Sequence, residues 1–95
     1  MTSVPAEIAD EVRGQLERIR EMAEFGLSAD QATRSDERQW YRTVLGAVGK
    51  ILAEAQSTER NMSGRADDEK IMTPTEIAEA AGISRAAIFK RRSRK

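Results

Sequence analysis

Arg85, Lys90, Arg91, Arg92, Arg94 and Lys95 are the only ionisable side chains after Gly82. Long cationic donors of this kind suit two tasks on a nucleic acid: forked hydrogen bonds to base edges, and charge contacts to phosphates. Their spacing divides them. In a helix starting at Arg85, the residues Arg85, Ala86, Phe89 and Lys90 fall on the outward side, with Ser84 at its start, while Ile88 points inward. Ser84, Arg85, Ala86, Phe89 and Lys90 are therefore the candidates for reading bases in the major groove of double-stranded DNA. Thr73, Thr75, Arg91, Arg92, Arg94 and Lys95 surround that face and are the candidates for phosphate contacts.

The elements that would position these residues are legible just upstream. Thr73, Pro74, Thr75 and Glu76 form a capping box with proline at the first helical position, so a helix is expected from there. Ile77, Ala78 and Ala81 repeat at helical spacing, and the small Ala78 lets a second helix cross close by. Gly82 suits the left-handed residue that ends a helix sharply, Ile83 plugs the angle behind it, and Ser84 caps the next helix.

The run Thr75 to Lys90, TEIAEAAGISRAAIFK, resembles the second and third helices of the TetR-type DNA-binding domain and is similar to homeodomain-like helix-turn-helix segments generally. The resemblance covers about the last quarter of the chain and implies a recognition helix that enters the major groove. Phe89 matches the first recognition-helix aromatic of that family, whereas Arg91 and Arg92 stand where two more aromatics usually close the helix. In the family the unit is N-terminal and a large ligand-binding helical domain follows it. Here it is C-terminal, so effector-gated repression is not carried over, and no small-molecule effector is evident in the sequence.

Composition excludes other chemistries. Ninety-five residues make one domain at most, or a small head joined to an assembly element. The absence of cysteine and histidine removes thiol chemistry, imidazole acid–base work and the usual zinc sites. No loop has the alternating acidic spacing of a calcium site, so neither a metal nor another cofactor is expected, and no nucleophile and base can be paired into an enzyme. With no long apolar run and no basic-then-apolar leader, the expected place is the cytoplasm, at the nucleoid and not a membrane. Arginine far exceeds lysine, which fits a GC-rich bacterial coding sequence. The chain is neutral overall yet positive at one end, a polarity suited to docking that end on phosphate.

Two amphipathic helices are readable upstream, and the fold class is accordingly all-α. The first, over 4–25, aligns Val4, Ile8, Val12, Leu16, Ile19, Met22 and Ala23 on one stripe, with Ser3 as its cap and Gly26 followed by Leu27 as its stop. A second capping box at Ser28 to Gln31 competes with a later start for the next helix. That second helix, over 36–58, carries Trp40, Tyr41, Val44, Leu45, Val48, Ile51 and Leu52 on a broad apolar face, and Tyr41, Val44, Val48, Ile51 and Ala55 step like a heptad seam. Gly46, Gly49 and Ala53 form a small-residue line beside it. A lone hairpin covers only one side of such a face, so residues 1–60 are expected to form a helical hairpin that dimerises through it into a four-helix bundle.

Residues 61–72 are polar and are expected to be a linker leading to the helix-turn-helix segment and basic tail of 73–95. The cluster Ile71, Met72, Ile77, Ala81, Ile83 and Ile88 is too small for two helices alone. Either a flexible linker leaves the support to a partner, or the second helix extends through Met62 and supplies it. Three functions follow: a dimeric, sequence-specific DNA-binding regulator of repressor type from a bacterium, plasmid or phage; a DNA-organising or partition protein using the same motif; or a helical adaptor for another protein.

Overall fold

The computed structural model describes residues 3–93, all helix and connection: α1 (Ala6–Thr33), α2 (Glu37–Asp68), α3 (Pro74–Ala81) and α4 (Arg85–Arg92). The all-α class expected from helical periodicity is what is found. Two compact units divide the chain, Met1–Thr58 and Glu59–Lys95, and α2 contributes residues to both.

In the first unit α1 and α2 run antiparallel. The Trp40 Nε1–H donates to Asp30 at 2.8 Å, Gly26 lies against Ala47, and Arg18 pairs with Glu54 at 3.0 Å, so successive contacts climb one helix while descending the other. The residues turned inward on α1 are Ile8, Val12, Gln15, Ile19, Met22, Gly26, Ala29 and Thr33, a strict alternation of four- and three-residue steps. On α2 the inward set is Trp40, Val44, Ala47, Ile51, Glu54 and Thr58, with the same rhythm.

Several sequence-based boundaries are revised. Helix α1 starts at Ala6 with Pro5 at the cap position and no side-chain cap, so Ser3 does not serve as expected. It also runs straight through Gly26, and the capping box at Ser28 is not used. The reason is packing: a Cβ on Gly26 would lie 3.3 Å from the Ala47 Cβ, tighter than ordinary contact, so glycine here allows close approach of α2 instead of stopping α1. The real break comes after Thr33. Asp36 caps α2 by accepting from the Gln39 N–H at 3.1 Å.

The largest revision concerns residues 61–72. The segment expected as a linker is helical through Asp68, and its end is closed by Lys70 at φ 55, with the Ile71 N–H donating to the Ala66 carbonyl at 2.9 Å and the Lys70 N–H to the Asp67 carbonyl at 3.2 Å. This is the six-to-one and five-to-two pairing of a Schellman stop, here with lysine at the left-handed position. Polar composition did not prevent a helix because one side of it is anchored. Ala66 packs against the cluster of Ile77, Ala78 and Ile88, together with Met72 and Ile83. The extension of α2 thus supplies the third element under α3 and α4, the second of the two alternatives. Ile71, expected in that cluster, is 66% exposed, its backbone being taken by the helix stop.

Candidate nucleic-acid interface

Local chemistry builds the α3–α4 pair almost residue by residue. The Glu76 N–H donates to Thr73 Oγ1 at 3.2 Å while the Thr73 N–H donates to Glu76 Oε1 at 3.0 Å, and Pro74 occupies the first helical position. The Thr73 N–H, and after it the Thr73 hydroxyl, hold the Glu76 carboxyl below its ordinary pKa. Gly82 takes φ 70 and ψ 31, its N–H donating to the Ala78 carbonyl, and Ile83 donates to the same carbonyl at 3.1 Å. Ser84 then caps α4 by accepting from the Ala87 N–H at 3.1 Å.

This framework fixes which side of α4 faces outward. Ile88 is 3% exposed and faces Ile77 and Ala78, whereas Ser84, Arg85, Ala86, Phe89 and Lys90 are all exposed. The five residues expected to read bases therefore share one solvent-facing surface. The Arg85 guanidinium carbon sits 5.5 Å from the Phe89 ring centroid and that of Arg92 sits 5.0 Å from it, so two cations stack on one exposed aromatic. Thr73 and Thr75 are exposed at the start of α3. The capping hydroxyl of Ser84 accepts a backbone bond and keeps a proton to donate.

Arg91 and Arg92 are placed differently from the expectation that they grip phosphate. Arg91 makes two parallel bonds to Glu59, both 2.8 Å, and Glu59 also accepts from the Ser63 hydroxyl at 2.6 Å. The forked Arg91 contact is the main reason the Glu59 carboxyl lies below its usual range, with Ser63 adding to it against burial. Arg92 forks onto Asp67 in the same manner. Both guanidiniums thus tie α4 to the end of α2, and their charge is balanced within the unit. Among the described residues of α4, Arg85 and Lys90 have no acidic partner. Arg94 and Lys95 lie outside the described residues.

Ser63 and Asp67 were missed in the sequence because they sit in the segment expected as a linker, and Glu59 because it lies just past the helix expected over 36–58. Their four-residue spacing was the available signal: 59, 63 and 67 fall on one helical side, facing two adjacent arginines. The stack was equally visible, Arg85, Phe89 and Arg92 being spaced by four and three.

The residues expected to dimerise are divided by the fold. Trp40, Val44 and Ile51 turn toward α1 and are half-buried, whereas Tyr41, Leu45, Val48 and Leu52 are exposed. The single seam expected through Tyr41, Val44, Val48, Ile51 and Ala55 is in fact two, one facing α1 and one facing outward. Trp40 and Tyr41 themselves meet edge to face at 5.0 Å.

Among the described residues no group of three metal-ligating side chains gathers, and no helix is long and apolar enough to cross a membrane. Comparison with protein-family models, curated proteins and solved structures gives no match to this chain.

Proposed function

We propose that this chain is a small sequence-specific DNA-binding protein, a transcriptional regulator acting at the nucleoid, in which α4 enters the major groove. One observation carries the reading. A three-element core holds α4 with Ile88 inward and Arg91 and Arg92 tethered, and the helix presents Ser84, Arg85, Ala86, Phe89 and Lys90 together on its open side. A reading helix needs this rigidity, because base discrimination depends on donors already aimed before contact. Arg85, stacked on Phe89, is the donor best prepared for a guanine edge, and Lys90 reaches the adjacent base. Thr73 and Thr75 contribute hydroxyls at the start of α3, where helix N-termini favour phosphate. Arg94 and Lys95 supply the remaining backbone charge.

Selection of bound fragments from genomic DNA with the full-length protein tests this reading. A regulator enriches a small set of fragments sharing a common sequence. Enrichment proportional to fragment length alone, with no shared sequence, would leave only a non-specific DNA-organising role, and no enrichment would remove DNA from the picture.

A further inference from the structure

The first unit has almost no core of its own. Among its described residues only Gln15, Ala29, Ala47 and Thr58 are buried, none of them a large apolar side chain. Its inward apolar residues, Ile8, Val12, Ile19, Met22, Trp40, Val44 and Ile51, are only half-buried, and a further set of large apolar residues stands exposed on one face. A shallow groove lined by Arg18, Glu21, Met22, Phe25, Ala47 and Lys50 marks one edge of the α1–α2 pair. At about 100° per residue, Leu16, Ala23 and Leu27 lie on the opposite flank of α1, and Tyr41, Leu45, Val48 and Leu52 on the opposite flank of α2. The two sets therefore share the other face. The six large side chains among them are 51% to 67% exposed.

We infer that this face is covered by a second copy of the same chain, two hairpins stacking into a four-helix bundle. The pattern specifies a helical partner: Tyr41, Leu45, Val48 and Leu52 step by four, three and four, the outward seam of a bundle helix with no charge in it. The area fits a dimer. Six side chains each offering roughly 100 Å², plus the backbone between them, approach the roughly 800 Å² per partner of a standard interface. An apolar helical face is what the occupant must present, and this chain presents one.

The inference stands whether or not α4 reads DNA, and its test uses no DNA. Sedimentation equilibrium of the full-length protein at micromolar concentrations should give twice the 10.6 kDa chain mass. Leu45→Glu combined with Val48→Glu should weaken the dimer by at least about 100-fold. If that variant unfolds, cross-linking decides. The chain has no cysteine, so Val48→Cys should form a disulfide-linked dimer on mild oxidation while Lys50→Cys, on the other edge, should not. Wild-type protein that remains at the chain mass, or equal cross-linking of the two cysteine variants, overturns the inference.

Discussion

Gly82 offers a clean measure of how tightly the turn between α3 and α4 is specified. It sits at φ 70 and ψ 31, and a Cβ added there meets no atom within 4 Å. Any cost of substitution is therefore one of backbone conformation and not of collision. A left-handed residue with a side chain costs roughly 1–2 kcal/mol, from which about 0.4–1 kcal/mol is recovered because the unfolded chain loses glycine's freedom. Gly82→Ala should thus cost about 1 kcal/mol, Gly82→Asn less, and Gly82→Val, with its branched β-carbon, about 2 kcal/mol or more. Lys70 supplies the mirror test, since it holds φ 55 without being glycine. By the same balance Lys70→Gly should stabilise the second unit by about 0.5–1 kcal/mol. Amide hydrogen exchange at Ile77 and Ile88 reports opening of their shared core. Protection there should fall about fivefold for alanine and about 30-fold for valine, and rise for Lys70→Gly, with amides of the first unit unchanged. DNA affinity should follow the same order. Equal protection in the alanine, asparagine and valine variants would refute the left-handed assignment of this turn.

Three further outcomes are expected. Because Arg91 holds the Glu59 carboxyl below its ordinary value of 4.5, Glu59 stabilises the second unit fully above that pH and progressively less as pH falls through its lowered value; Glu59→Gln should cost about 1 kcal/mol at neutral pH and flatten that acid slope in exchange experiments at Ile88. Asp30 is lowered from 3.8 to about 2, first by Arg34 and then by the Trp40 indole, so emission from the sole tryptophan should titrate near pH 2 in folded protein and lose that step in Asp30→Asn. Removing Arg94 and Lys95 should weaken binding to all DNA sequences alike and reduce the slope of log affinity against log salt by about one unit for each phosphate no longer neutralised, measured by titration at several salt concentrations.

What could be read from the sequence was what is decided locally. Thr73, Pro74 and Glu76 satisfy one another within a single turn, and Gly82 and Ser84 act on the amides beside them, so the α3–α4 pair was visible without its surroundings. Gly26 was misread because a glycine that admits a neighbouring helix and one that ends its own look alike until Ala47 is placed against it. The end of α2 was hidden for a related reason. Its polar residues carry no hydrophobic periodicity, and Glu59 and Asp67 acquire their role only when Arg91 and Arg92 arrive from more than twenty residues away. The broad face of α2 was plain in the residues, but its division into an inner seam at Trp40, Val44 and Ile51 and an outer one at Tyr41, Leu45, Val48 and Leu52 depends on where α1 lies.

Whether α4 reads bases is tested most directly by titrating wild-type protein and Arg85→Ala against the best selected DNA site and a scrambled version of it. Arg85 is exposed, stacked on Phe89 and without an acidic partner, so its removal should disturb neither the core nor the ties of Arg91 and Arg92. The variant should lose roughly 1–3 kcal/mol on the selected site and much less on the scrambled one, so that discrimination collapses while general affinity persists. A parallel loss on both DNAs would make Arg85 a phosphate contact only, and α4 would no longer be the element that recognises sequence.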